Sequence, residues 1–279
     1  MTKKTVPARV HAIIARQKPI AIVFRRGPSK KVCSYLWDLK KDKFKLGQWL
    51  KGRIYERRAD ISPDGKHIIY FAANNKLRTE TRGAWTALSR TPWLKAIELY
   101  AWGDCWQGGG LFLDNSSYWL NDFGYHENGL LKKSSAVRRD KSYRPPTYNG
   151  YECTGVYYNR LLRDGWKYEE KQGQDYNSWT IFSKKLQKGW VLRKIAHEQI
   201  GAPIGRGCYW DEHELINQEL EVNIKHKNWE WAEFYNNKLY WACDGQIFKA
   251  SISSGSKIGT PKMLYDFNSE TYEEITAPY

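Results

Sequence analysis

An all-β fold is what the sequence predicts: a single β-propeller of five blades of four antiparallel strands, with six blades as the alternative. Three observations predict it. Residues 57–72, RRADISPDGKHIIYFA, read as strand, turn, strand, and weaker versions of this unit recur along the chain. The turns of these hairpins fall near residues 28, 64, 115, 164 and 236, and of the gaps of 36, 51, 49 and 72 residues two sit near the length of one propeller repeat while the last is too long. The 14 Trp, 19 Tyr and 9 Phe suit broad sheet faces packed on each other. A two-sheet sandwich or an irregular all-β domain, which also turn frequently, is the competing architecture.

The elements follow in order. Residues 1–9 are a flexible basic arm, and the propeller domain runs over 10–279. Runs of β-branched and aromatic residues place strands at 10–15, 20–24 and 32–39, with a Gly27-Pro28-Ser29 turn between the second and third, and a further strand at 44–50. Alternating Ala59 and Ile61, then Ile68 to Phe71, flank the next turn, and strands at 84–89 and 97–102 complete that unit. A third unit holds strands at 111–113 and 118–120. Residues 121–146 are polar and turn-rich, as a lid or insertion loop would be. The fourth unit is expected to start with a strand at 156–162 and a turn at Arg163-Asp164-Gly165, followed by strands at 166–169, 179–182 and 190–195. Residues 207–224 could add a sixth hairpin turning near Asp211-Glu212, or hold an elaborated outer strand. The fifth unit has strands at 229–235, 239–242, 247–252 and 263–267 around an Asn236-Asn237 turn, and residues 272–276 are expected to pair beside an N-terminal strand.

In the turn at 62–66, Pro63 presets φ, Asp64 can bond its own backbone and Gly65 accepts positive φ. The stretch Ile61-Ser62-Pro63-Asp64-Gly65-Lys66-His67-Ile68-Ile69-Tyr70 resembles the SPDGK hairpin of TolB-type, WD-like β-propeller repeats. The match covers one blade. The resemblance implies a bacterial protein whose channel mouth, lined by inner-strand ends and the loops above them, is the binding surface.

Charge is unevenly spread. The net +15 divides into +14 over residues 1–58, +7 over 59–206 and −6 over 207–279, so any polyanion surface belongs near the N-terminus. The N-terminal apolar stretches are broken by Arg16, Gln17, Lys18 and Pro19, unlike a signal-peptide core, and no apolar run reaches membrane-spanning length. A cytoplasmic protein without a membrane is the expectation, with a monomer favoured. Five scattered cysteines with no CxxC pair read as reduced thiols.

No motif names a chemistry. Gly108-Gly109-Gly110 lacks the Lys-Ser or Lys-Thr of a phosphate loop and reads as close backbone packing. His197-Glu198 and His213-Glu214 lack the second histidine of a zinc helix, and neither a metal nor a cofactor is expected. What remains are candidate binding residues at the channel mouth: Arg57, Arg58 and Asp60 on an innermost strand, Asp104 and Trp106, the similar triplet around Arg138 and Arg139, and Asp211 with His213, which share a strand face. Two guanidinium clusters suit phosphate or carboxylate; equally, they can pair with acids and hold the fold together. A basic patch of Arg25, Arg26, Lys30, Lys31, Lys40, Lys41, Lys43 and Lys45 suits a nucleic-acid backbone, although lysines at 40–45 also protect a strand edge.

The functional expectation is therefore a non-enzymatic binding module or scaffold for a protein or peptide partner. A nucleic-acid or anion binder acting through the basic N-terminal blade is the alternative. The second alternative is a hydrolase with channel carboxylates such as Asp60 and Asp104.

Overall fold

A computed structural model describes residues 6–27, 30–122, 129–146, 152–174, 177–201 and 207–279. The expected arm over 1–5, the centre of the 27–29 turn and part of the 121–146 insertion lie outside the described residues. The fold is all-β, with twenty-one strands and one helix among the described residues, arranged in five open sheets.

The first sheet is a four-stranded meander of β1 (Arg9–Ile14), β2 (Ile20–Arg26), β3 (Lys31–Asp38) and β4 (Lys43–Lys51). The second begins with β5 (Arg53–Ile61), β6 (His67–Ala73), β7 (Ala84–Arg90) and β8 (Ala96–Ala101). The third pairs β9 (Gly110–Phe112) with β10 (Ser117–Leu120). Two short strands come from the stretch read as an insertion loop. Of these, β11 (Leu130–Lys132) returns to join β8 at the edge of the second sheet, and β12 (Arg138–Arg139) runs parallel to β10. The fourth sheet is β13 (Lys167–Gln174), β14 (Asn177–Lys185), β15 (Trp190–Gln199), β16 (Tyr209–Asn217) and β17 (Val222–His226). The fifth is β18 (Trp229–Tyr235), β19 (Lys238–Cys243), β20 (Gln246–Ser251) and β21 (Lys262–Asp266). Apart from β10 with β12, the pairs are antiparallel.

Three expectations need correction. Residues 156–162 are not a strand but part of α1 (Cys153–Arg163). A short buried apolar run is ambiguous between the two, and the end of this one decides it. Gly165, at φ 87°, follows the last turn. Its N–H donates to the Leu162 carbonyl at 3.2 Å, and the Trp166 N–H donates to the Leu161 carbonyl at 3.0 Å. Those two bonds are a Schellman cap, so Arg163-Asp164-Gly165 ends a helix and does not turn a hairpin. Residues 209–217 run straight through Asp211-Glu212 as β16, and the turn lies at 218–221, so the hairpin of this stretch is β16 with β17 and sits at the outer side of the fourth sheet. Residues 272–276 form no strand. They are held by side chains instead, as described below.

By contact density the described chain forms two compact units, residues 1–11 with 161–269 and residues 12–160 with 270–279. In the second of these, Ile22, Phe24, Ile54, Ile61, Ile68 and Tyr70 build one apolar cluster and Phe71, Leu88, Tyr100, Phe112 and Tyr118 another. The SPDG turn is held as its residues imply. Ser62 N–H donates to the His67 carbonyl and Gly65 N–H to the Ser62 carbonyl, each at 2.8 Å, and Gly65 has φ 74°. In the other unit, Asn236 and Asn237 at φ 46° and 61° form the two-residue turn between β18 and β19.

Candidate functional site

A cavity of about 490 Å³ opens in the unit of residues 12–160 and 270–279. Its floor comes from β8. Glu98 and Tyr100, two residues apart on this strand, point to the same side, and Tyr118 reaches the same point from β10. The Glu98 Oε1 accepts the Tyr100 hydroxyl at 2.7 Å and also the Tyr118 hydroxyl, and the two tyrosine oxygens lie 2.9 Å apart. Oε2 accepts the Ser134 N–H at 3.1 Å. Glu98 is only 4% exposed, so these donors replace the water it has lost. Burial pushes the Tyr100 hydroxyl up to about 12, and burial together with the neighbouring Tyr100 pushes Tyr118 higher still. Both phenols therefore hold their protons at neutral pH and serve as donors.

The walls are basic. The parallel pairing of β12 on β10 sets Arg138 opposite Ser117 and Arg139 opposite Tyr118. Arg139 donates to buried Asp122 at 2.6 Å and sits 5.8 Å from the centre of the Tyr100 ring. Arg138, Lys133 and Lys141 line the cavity with exposed side chains. The lining can hold an anion: three exposed cations share the cavity with a carboxylate whose oxygens are already engaged.

Among the expected channel-mouth residues, only Arg138 and Arg139 line this cavity. Arg57, Arg58 and Asp60 are buried on β5. Between Tyr55, opposite Phe71, and Asp60, opposite Ile69, the strand bulges, and this turns Arg58 inward. Its guanidinium donates to the carbonyls of Cys105 and Gln107 at 2.6 Å each and to the Cys153 sulfur at 3.3 Å, with Glu152 at 3.5 Å. Arg57 stacks on Tyr157 at 4.8 Å. Asp60 accepts the Phe112 N–H at 2.8 Å. Asp104 caps an exposed turn by accepting the Trp106 N–H at 3.0 Å, and Trp106 is 64% exposed. The glycine triplet packs as expected: a Cβ on Gly109, at φ 76°, would lie 1.9 Å from the Arg58 carbonyl oxygen.

Asp211 and His213 belong to the other unit and share a buried face of β16. Between them lies Lys194 of β15, whose ammonium is 2.8 Å from His213 Nε2 and 3.8 Å from Asp211. His213 Nδ1 meets the Trp229 carbonyl at 2.9 Å, so Nδ1 carries the proton and Nε2 accepts from Lys194. The ring is neutral. Burial, reinforced by the Lys194 charge, holds its pKa well below the usual histidine value.

The basic patch divides. Arg25 lies 5.5 Å from the Trp49 ring and donates to the Glu270 carbonyl at 3.4 Å. Arg26 pairs with Glu56 at 2.8 Å. Lys31, with Lys51, flanks the Tyr272 ring at 4.8 Å, and Tyr272 meets Trp49 edge-on at 5.9 Å. Lys30, Lys40, Lys41, Lys43 and Lys45 stay exposed. The acidic C-terminal segment thus occupies part of the basic surface.

Glu98, Tyr100, Tyr118 and Lys133 were not expected in a site. One signal was present: Glu98 is an acid inside the apolar run Ile97-Glu98-Leu99-Tyr100-Ala101, and a charge on a buried strand needs partners.

No family model matches the chain, and no curated protein matches it. Among solved structures, hydrazine synthase of Kuenenia stuttgartiensis is 10% identical over 90% of this chain and 78% of that one, with a TM-score of 0.31, a likeness that carries no argument about fold or function.

Proposed function

We propose that the chain is a five-bladed β-propeller of the TolB-like, WD-like kind, acting as a non-enzymatic cytoplasmic binding module for a protein or peptide partner. Five sheets taken in chain order support the architecture, the third being the smallest. The observation that carries the function is the cavity, which Lys133, Arg138 and Lys141 line together with a carboxylate already bound by two phenols and an amide. Such a site favours an acidic group on the partner. A pull-down from source-cell lysate at low and physiological salt tests it. A partner retained by the wild type and lost by Arg138→Ala supports the reading, and recovery of nothing above background removes it.

A second reading rests on Lys40, Lys41, Lys43 and Lys45, exposed at the turn into β4 and along that edge strand. They could follow a nucleic-acid backbone. Filter binding would then show DNA or RNA retention that falls steeply with salt; flat retention excludes it. The hydrolase alternative draws no support from the cavity, because neither Asp60 nor Asp104 lines it.

A further inference from the structure

Resting on the nucleic-acid reading above, we propose that the face of the first sheet beneath residues 270–279 binds single-stranded nucleic acid, and that this acidic segment is its built-in competitor. Strand register sets the face. Lys31 of β3 lies opposite Lys51 of β4, and two residues further along Cys33 lies opposite both Arg25 and Trp49, so Arg25, Lys31, Lys51 and Trp49 stand on one side of the sheet. Arg25 is 5.5 Å from the Trp49 ring. An aromatic ring with cations around it suits an unpaired base and its flanking phosphates, since the base stacks on the ring and the cations meet the backbone. The segment closes this face. Trp49 is only 7% exposed, with Tyr272 edge-on against it at 5.9 Å, and Tyr272 is itself held by Lys31 and Lys51, each 4.8 Å from its ring centre. Arg25 donates to the Glu270 carbonyl. The buried Trp49 indole N–H has no hydrogen-bond acceptor among the described residues.

The segment carries the chemistry of the ligand it displaces. Glu270, Glu273 and Glu274 place three carboxylates within five residues, and Tyr272 supplies a ring among them. Burial pushes the Cys33 thiol up to about 12 against the pull of Arg25, and Glu270 and Glu273 add to the rise, so their carboxylates act on this same face. The hold is light. Residues 270–279 join no strand; beyond Tyr272 they are held by Gln48 on the Ile275 carbonyl at 2.9 Å and by Tyr279, whose hydroxyl donates to the Lys95 carbonyl at 2.6 Å and whose ring lies 4.9 Å from Arg90. Cation–π contacts at half-exposed rings are individually weak, and a polyanion that meets several cations at once can replace them. A duplex cannot use the ring, because its bases are already stacked on each other.

The test compares the full-length wild type with a full-length Tyr272→Ala/Glu273→Gln variant by fluorescence anisotropy, using a labelled oligothymidylate of about twelve nucleotides, a length within the site sizes of single-strand binders. A synthetic peptide of residues 270–279 serves as competitor. The variant is expected to bind about ten-fold more tightly, which corresponds to a face open about a tenth of the time in the wild type, and the peptide should displace the oligonucleotide from it. Adding Lys31→Ala and Lys51→Ala to the variant should abolish the gain and make the log–log salt dependence shallower by about 1.4, two phosphate contacts' worth. Lys262→Ala, on exposed β21, should change neither. Equal binding by wild type and variant overturns the competitor role and leaves the nucleic-acid reading to Lys40, Lys41, Lys43 and Lys45. Equal affinity for the matching duplex overturns the stacking on Trp49. Oligonucleotide binding by neither protein removes both readings, and uptake of the peptide by the variant in that case assigns the face to an acidic protein segment instead.

Discussion

Lys194 and His213 form a buried hydrogen bond in which the ammonium donates to a neutral imidazole, 2.8 Å from Nζ to Nε2. The Trp229 carbonyl fixes the tautomer from the other side of the ring, and Asp211 supplies the countercharge to Lys194. The arrangement places three titratable side chains in the core of one unit, and its energetics can be read by removing one member at a time.

Replacing Lys194 with Met leaves Asp211 buried without its cation, and we expect a loss of about 3 kcal/mol in urea unfolding. Lys194→Met with Asp211→Asn should recover more than half of it. Additive losses in the double variant would show that the two side chains are not coupled.

His213 sets a pH dependence. Its folded-state pKa lies below the ordinary 6.5, so the unfolded chain binds the extra proton first, and stability present above pH 6.5 is lost as the pH falls. The slope approaches about 1.4 kcal/mol per pH unit below that value. His226, pushed down to about 4 by burial against Trp229, acts in the same direction. Unfolding at pH 7.5, 6.5 and 5.5 checks this, and His213→Asn should give a shallower profile than the wild type.

Gly109→Ala should cost about 3 kcal/mol. The new methyl meets the Arg58 carbonyl oxygen at 1.9 Å, and φ is 76°, so both overpacking and backbone strain apply. Gly201→Ala, also at positive φ but with open space around it, isolates the backbone part and should cost about 1 kcal/mol. Equal melting temperatures for the two variants would contradict the close approach.

Tyr118→Phe removes one of the two phenols that solvate Glu98. A loss of about 2 kcal/mol is expected, and Glu98→Gln in the same background should restore part of it, because an amide needs fewer donors than a carboxylate. Thermal unfolding of the single and double variants decides this.

Tyr272→Ala takes away the ring between Lys31 and Lys51. We expect the C-terminal segment to become a site of early cleavage in limited proteolysis, with overall stability lowered by about 1 kcal/mol. Unchanged cleavage kinetics would show that Gln48, which donates to the Ile275 carbonyl at 2.9 Å, and the Tyr279 contacts with Arg90 and Lys95 hold the segment without it.

What could be read from the residues was mostly local. The hairpins around Asp64-Gly65 and Asn236-Asn237 announce themselves because turn residues and flanking strands are adjacent in the chain. Helix α1 was missed because its apolar run is short and buried, and the residues that end it, Asp164 and Gly165, serve equally well in a hairpin. The cavity was half legible. Arg138 and Arg139 stood out as a pair, but their neighbours Glu98 and Tyr118 meet them only through a parallel pairing that no turn signals, between strands of two and four residues. Arg57 and Arg58 look the same in sequence, yet a bulge sends Arg58 into the interior, and a bulge has no signature in an alternating pattern.

The return of β11 to the second sheet has a kinetic side. Its partner β8 precedes β9 and β10 in the chain, so the second sheet is completed only after the chain has passed through the hairpin of the third. Fifth-sheet strands β18 to β21, by contrast, pair only with their sequence neighbours. Loop closure penalises the longer-range pairing, and pulsed hydrogen exchange during refolding should find the amides of β18 and β19 protected early and those of β11 late. The wall beside the cavity would then be among the final parts of the molecule to assemble.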